Sequence, residues 1–183
     1  MIIRTRQALF AFAAFLWLAT IGISQASNDV TAPETIEIPA GTFVMGSDAA
    51  EREMAYRLDE AAYGHSVTRE RGWYDREPQR KIELEGFTIT RNLVTNRDYA
   101  AFLQETGHTP PTVTRKQWDG YGLIHPFERA VPYIWQSTDP PEDRVDHPVV
   151  MVSFRDAQAY AAWLSAKTGR NWRLPSEAEW EKA

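Results

Sequence analysis

Between His108 and Pro148 the chain carries seven of its eleven prolines, interleaved with Trp118, Tyr121, Phe127, Tyr133 and Trp135. Proline has no backbone N–H to donate and its ring collides with the preceding helical turn. The stretch therefore cannot be a regular sheet or a long helix. Five large rings also make it too apolar for a disordered segment. The expectation is an ordered, irregular coil pinned by its rings.

The segments that flank this coil show strand and helix patterns in turn. Thr35–Ile38 alternates, Pro39-Ala40-Gly41 turns, and Thr42–Met45 closes on Gly46-Ser47, which reads as a small hairpin. A helix is expected over Glu51–Tyr63, with an apolar stripe of Met54, Leu58, Ala61 and Ala62 and a stop at Gly64. His65–Arg80 is a polar excursion packed by Trp73 and Tyr74. Lys81–Leu84 and Phe87–Thr90 alternate as strands. Thr95 caps a helix with Asp98 in its first turn, Tyr99, Phe102 and Leu103 on its buried face, and Gly107 at its end. The apolar run Val149–Val152 reads as a buried strand. Ser153 and Asp156 form a capping box for a helix with Ala157, Tyr160, Ala161 and Leu164 inside, ended by Gly169. Trp172–Leu174 reads as a short strand, and Ser176 with Glu179 as a second capping box.

The first 26 residues have the order of a secretory signal: Arg4 and Arg6, an apolar run from Ala8 to Ile23, then Ser24-Gln25-Ala26. The expected organisation is a signal peptide at 1–26, a linker at 27–34 and one domain over 35–183. The product would be periplasmic or secreted, with no membrane attachment after cleavage. Cleavage removes two basic residues and takes the formal charge from −5 to −7, 18 basic against 25 acidic. An acidic export product without a clustered basic face excludes nucleic acid as a partner. The chain has no cysteine, so disulfides, thiol chemistry and thiolate metal sites are excluded. Stability must come from a core rich in aromatic rings.

No reactive constellation emerges from spacing. His65, His108, His125 and His147 are too far apart in sequence to share a helix face as a metal pair, and each reads as a loop histidine. Glu177, Glu179 and Glu181 are two apart, so they do not share one helix face, and the first two serve the cap and the helix dipole. Asp139, Glu142, Asp143 and Asp146 form an acidic loop with oxygen donors but without EF-hand spacing. Ser47 and Ser153 lack a nucleophile-elbow context, and no glycine-rich phosphate loop occurs. No catalytic, cofactor-binding or metal residue is assigned. The fold class expected is α+β.

An ordered string of motifs nevertheless resembles the sulfatase-modifying factor family, whose founding activity is formylglycine generation. The string runs through Ile38-Pro39-Ala40-Gly41-Thr42-Phe43-Val44-Met45-Gly46-Ser47, Glu77-Pro78, Val94-Thr95-Asn96, His147-Pro148-Val149-Val150-Met151-Val152-Ser153-Phe154 and Arg173-Leu174-Pro175-Ser176-Glu177-Ala178-Glu179-Trp180-Glu181. The resemblance implies a C-type-lectin-like fold of low regular structure and oxidation of a peptide or protein substrate. In that family the chain continues past the Arg-Leu-Pro motif, and the later part carries the copper-binding cysteines and calcium sites. The resemblance therefore implies that 35–183 is a truncated, amino-terminal portion, inactive alone, with its cofactor ligands and its missing carboxy-terminal half elsewhere. Under it, Ser153 and Ser176 cap, Tyr160 and Trp180 pack, and Arg173 pairs with an acid. The alternative is a non-catalytic lectin-like binding module that recognises its partner through Trp118–Trp135.

Overall fold

The structure, a computed structural model, describes residues 30–123 and 125–183. The expected signal peptide and the first residues of the expected linker lie outside them. The elements in chain order are β1 (Thr35–Ile38), β2 (Gly41–Met45), α1 (Ala49–Tyr63), α2 (Val67–Glu70), β3 (Arg80–Leu84), β4 (Phe87–Thr90), α3 (Asn96–Thr106), α4 (Arg115–Gly120), α5 (Phe154–Thr168) and α6 (Glu177–Lys182). Single 3-10 turns punctuate the coils. Among the described residues no helix is long and apolar enough to cross a membrane.

The expected hairpin between β1 and β2 does not form. β1 pairs antiparallel with β4, and β2 with β3. Ile38 faces Phe87 and Gly41 faces Leu84, three residues on along one strand and three back along the other. The register thus runs unbroken through Pro39-Ala40, and the four strands make one long, two-stranded ribbon. A tight hairpin at Pro39-Ala40 needs positive φ at its first central residue, which the proline ring forbids. Pro39 also lacks the N–H that would continue the ladder. At the kink a Cβ on Gly86 would stand 3.2 Å from Ala40 N, so a glycine lets the two backbones close up.

The excursion between β2 and β3 is built on α1. Asp48 accepts from the amides of Ala50 and Glu51 while Glu51 accepts from Asp48 N, and Gly64 ends the helix at φ 71°. The helix lies on a different face from the one its apolar stripe suggests. Met54 and Leu58 are 56% and 62% exposed, whereas Tyr56 is buried. On the Tyr56 side, Tyr74 packs at 5.0 Å between ring centroids and its hydroxyl donates to Asp59 at 2.8 Å. The Arg69 guanidinium sits 4.7 Å over the Tyr56 ring and pairs with Glu53 and Glu60. A tilted ring pair, a cation over a ring and two ion pairs outweigh a stripe of alanines and flexible side chains. Trp73, expected to help pin this excursion, is 48% exposed.

The core lies where α3 and α5 meet. Thr95 with Asp98 and Ser153 with Asp156 form both capping boxes, and Gly107 and Gly169 end the helices in the left-handed conformation. Tyr99, Phe102 and Leu103 from α3 are buried against Tyr160 and Leu164 from α5. Trp163 joins them and donates to Glu105 at 3.1 Å. Ring centroids stand 5.6 Å apart for Tyr99 with Tyr160 and for Phe102 with Trp163.

The proline-rich coil closes on this core through Trp135, which is buried and whose amide donates to the Pro111 carbonyl at 2.9 Å. The other rings act nearer the surface: Trp118 donates to the His125 carbonyl, Arg115 lies over Phe127 and Arg144 over Tyr133, while Tyr121 is 62% exposed. A short helix not expected in this coil, α4, starts on a Thr114–Gln117 capping box. Two expected strands do not form. Val149–Val152 forms no strand: Pro148 before it bridges to Thr95, the Val149 amide donates to the Val94 carbonyl at 2.9 Å, and Met151 then turns left-handed at φ 61° and ends the extended run. At Trp172–Leu174 the Trp172 amide donates to Ser165 Oγ, not to a neighbouring strand.

Candidate interaction groove along Asn171–Pro175

The histidines and carboxylates considered from sequence do not converge. His108 Nε2 lies 2.8 Å from Asp156 Oδ1. Burial raises the Asp156 pKa, but hydrogen bonds from Ser153 and His108 outweigh it and hold the carboxyl below its ordinary value. His65 stacks on Tyr63, and the His147 carbonyl accepts from Asn96. In the acidic loop, Asp146 pairs with Arg97 and Asp139 accepts from Gln104. Ser153 caps α5, and Ser47 bridges to Pro78.

The three glutamates of α6 part company. Glu179 closes the Ser176 capping box and accepts from Arg173 Nη1 and Nη2, at 2.7 and 2.5 Å. Arg173 first, and then the Ser176 amide, bring its pKa down to about 2. Glu181 accepts from Gly46 N–H at 2.6 Å, and Lys182 donates to the carbonyls of Pro39 and Gly41. These two residues dock α6 onto β2. The acid that Arg173 was expected to find is thus Glu179, six residues on. Trp180 was expected to pack and is instead 58% exposed.

The site that does emerge is a groove that sequence patterns did not show. One wall is β4 (Phe87–Thr90) and the other is Arg170–Arg173, with Pro175 and Trp180 at one end, enclosing about 390 Å³. The hydrogen bond from Arg91 N–H to the Glu34 carbonyl sets the alternation of the ribbon. Phe87 and Ile89 turn their N–H and C=O groups toward β1, and Thr88 and Thr90 turn theirs outward, into the groove. Beneath Trp172–Pro175 lies a second, mostly apolar hole of about 160 Å³, bordered by Val94, Tyr99, Val152, Tyr160 and Leu164. Tyr99 is 2% exposed and its hydroxyl has no partner among the described residues. Burial pushes its pKa up to about 12, so it is a neutral donor at physiological pH. Phe154 is 68% and Val150 40% exposed. Unpaired backbone groups, a buried phenol and the bare rings of Phe154 and Trp180 thus lie on one side of the molecule. No sequence pattern pointed to it, since Trp180 at its end was expected to pack.

Comparisons with known proteins agree with the order of motifs. The sequence model of the sulfatase-modifying factor enzyme 1-like domain matches residues 22–183. A formylglycine-generating enzyme from Thermomonospora curvata is 32% identical over 88% of this chain and 52% of its own length. A hercynine oxygenase from Mycolicibacterium smegmatis is 32% identical over 81% of this chain and 31% of its own. An inactive C-alpha-formylglycine-generating enzyme 2 from Mus musculus is 26% identical over 82% of this chain. The solved structure of PvdO from Pseudomonas aeruginosa, 28% identical, superimposes with a TM-score of 0.51 over 80% of this chain and 45% of its own. The α+β fold is that of formylglycine-generating, C-type-lectin-like domains. The chain spans about half the length, or less, of these relatives.

Proposed function

Because this chain belongs to the sulfatase-modifying factor family, we propose that it is the amino-terminal portion of an exported protein of formylglycine-generating type, whose whole domain oxidises a peptide or protein substrate. One observation carries the part-domain reading: the family match runs over residues 22–183 while the Thermomonospora curvata relative is nearly twice as long as the matched stretch. Export rests on the Arg4, Arg6 and Ala8–Ile23 pattern. The immediate partner is the remaining half of the domain. The bare Phe154 and Trp180 and the groove beside β4 support that role, since apolar surface of this kind is normally covered.

Within the whole domain this chain supplies scaffold. The helices α3 and α5 build the core, Arg173 with Glu179 orients α6, and α6 fastens to the ribbon. The residues present do not fit copper held by cysteine thiolates, because the chain has none. They do not fit calcium either: the loop carboxylates go to separate partners, and among the described residues no three His, Asp or Glu side chains gather as a metal site. No reaction step is assigned to this chain, and alone it is inactive. A non-catalytic role for the complete protein is the second reading, favoured by the Mus musculus relative described as inactive.

The test is to incubate the purified chain with a sulfatase-derived peptide and follow formylglycine formation by mass spectrometry. No turnover is expected without the rest of the domain. Turnover by the chain alone would refute the proposal.

A further inference from the structure

The hole beneath Trp172–Pro175 is walled by this chain's own elements. Tyr99 reaches it from α3, Ala157, Tyr160 and Leu164 from α5, and Val152 and Trp172 from the coils on either side of α5. Its volume of about 160 Å³ is close to that of engineered apolar cavities, about 150 Å³, that stay dry and take up benzene. It is open on one side, which gives a small molecule a way in. Water is a poor occupant, because a buried water needs several polar partners and these walls are mostly apolar. The strap over the hole is fixed before anything enters: the Trp172 amide donates to Ser165 Oγ at 2.9 Å and its Nε1 to Thr168 Oγ1 at 2.8 Å. Tyr99 is 2% exposed, yet its hydroxyl meets no acceptor among the described residues. A buried donor left unpaired is a cost that an acceptor removes. Charge selects which acceptor. Arg173, the cation in the lining, already donates to Glu179 and to the Leu174 carbonyl. A carboxylate entering the hole would leave water without a free cation to meet it, whereas a carbonyl gives up far less.

We propose that the hole between α3, α5 and Trp172–Pro175 is a binding site for a small, neutral aromatic molecule carrying one carbonyl, whose oxygen accepts from the Tyr99 hydroxyl. A single ring with one short substituent is what the volume admits. The walls supply apolar contact and the one orphan donor sets the orientation, the usual division of labour in a small-molecule pocket. The inference uses residues of this chain alone and does not rest on the half-domain reading.

The probes are acetophenone and α-methylstyrene, which share a shape and differ in a carbonyl oxygen against a methylene carbon. Each is titrated into the full chain while the amide signals are followed by NMR. Acetophenone should give saturable shifts at Val152, Trp172 and Leu174, and none at Tyr56 in the distant excursion. Tyr99→Phe keeps the ring and removes the donor. It should weaken acetophenone about fivefold, the scale of one hydrogen bond, and leave α-methylstyrene unchanged. Because the hydroxyl has no partner, Tyr99→Phe should melt no lower than the parent chain. Ala157→Leu fills the hole from α5, where leucine suits the helix, and should abolish binding of both probes. Equal acetophenone affinity in the parent chain and Tyr99→Phe overturns the proposal, as does binding that survives Ala157→Leu. A marked loss of stability in Tyr99→Phe would show that the hydroxyl already has an acceptor, and overturns it as well. Absence of saturable acetophenone binding at these amides is the plainest refutation.

Discussion

Glu179→Gln separates the two jobs that residue performs. A glutamine still accepts from the Ser176 amide and completes the capping box. It cannot form the charged, two-nitrogen pair with Arg173. Glu179 in the folded chain titrates near 2, against an ordinary value of 4.5. Each tenfold change in proton affinity is worth about 1.36 kcal/mol, so the full effect approaches roughly 3 kcal/mol. The glutamate side chain is 13% exposed but the guanidinium is 61% exposed, so solvent screening removes about half, leaving about 1.5 kcal/mol. Because the folded value is depressed, this stability is present in full above pH 4.5 and is lost as pH falls toward 2. Urea titrations of the two proteins at pH 7 should differ by about 1.5 kcal/mol. The gap should shrink at pH 3 and close near pH 2. α6 is fastened to β2 by Glu181 and Lys182, so its loss is felt by the ribbon. Equal stability of the two proteins at pH 7, or a gap that stays constant down to pH 2, would refute the reasoning.

Three further substitutions test the packing. Leu103 is fully buried between α3 and α5, so Leu103→Ala should cost about 3 kcal/mol by thermal melting, within the range for a core leucine. Gly46 has φ 79°, and a Cβ there would lie 2.7 Å from the carbonyl oxygens of Glu77 and Pro78. Gly46→Ala should therefore cost about 2 kcal/mol or more, read by chemical denaturation, and should loosen the Asp48–Arg76 excursion in limited proteolysis. Lys182→Met removes the two bonds that α6 makes to the carbonyls of Pro39 and Gly41, keeps the aliphatic stem, and should cost about 1 kcal/mol while speeding amide exchange in α6.

What the sequence made legible was mostly local. Capping boxes at Thr95, Ser153 and Ser176 are decided within four residues, and all three stand where the pattern puts them. The glycine stops at 64, 107 and 169 are of the same kind. The buried face of α3 is readable because Tyr99, Phe102 and Leu103 are large and lie on one helix face. Trp163 is harder to place, because the small residues around it blur the stripe on α5. Pairing is not local, and there sequence patterns mislead. Pro39 reads as a turn, yet a proline that cannot enter a two-residue hairpin makes a kink in a ribbon whose partner strand comes forty residues later. The apolar run at Val149–Val152 reads as a strand until Met151 takes a left-handed backbone. Met54 and Leu58 form a stripe on paper, but Tyr56 has Tyr74 and Arg69 to meet. The groove is illegible because it is defined by which way Thr88 and Thr90 point, and that follows from the register with β1.

Hydrogen exchange on the free chain, residue by residue, addresses most directly whether this polypeptide is a folded scaffold with one face left bare. Strong protection is expected at Tyr99–Leu103 and Tyr160–Leu164, together with rapid exchange at Thr88, Thr90, Arg173 and Leu174. Protection at those four amides equal to that of the α3 and α5 core, in a monomer, would contradict the account.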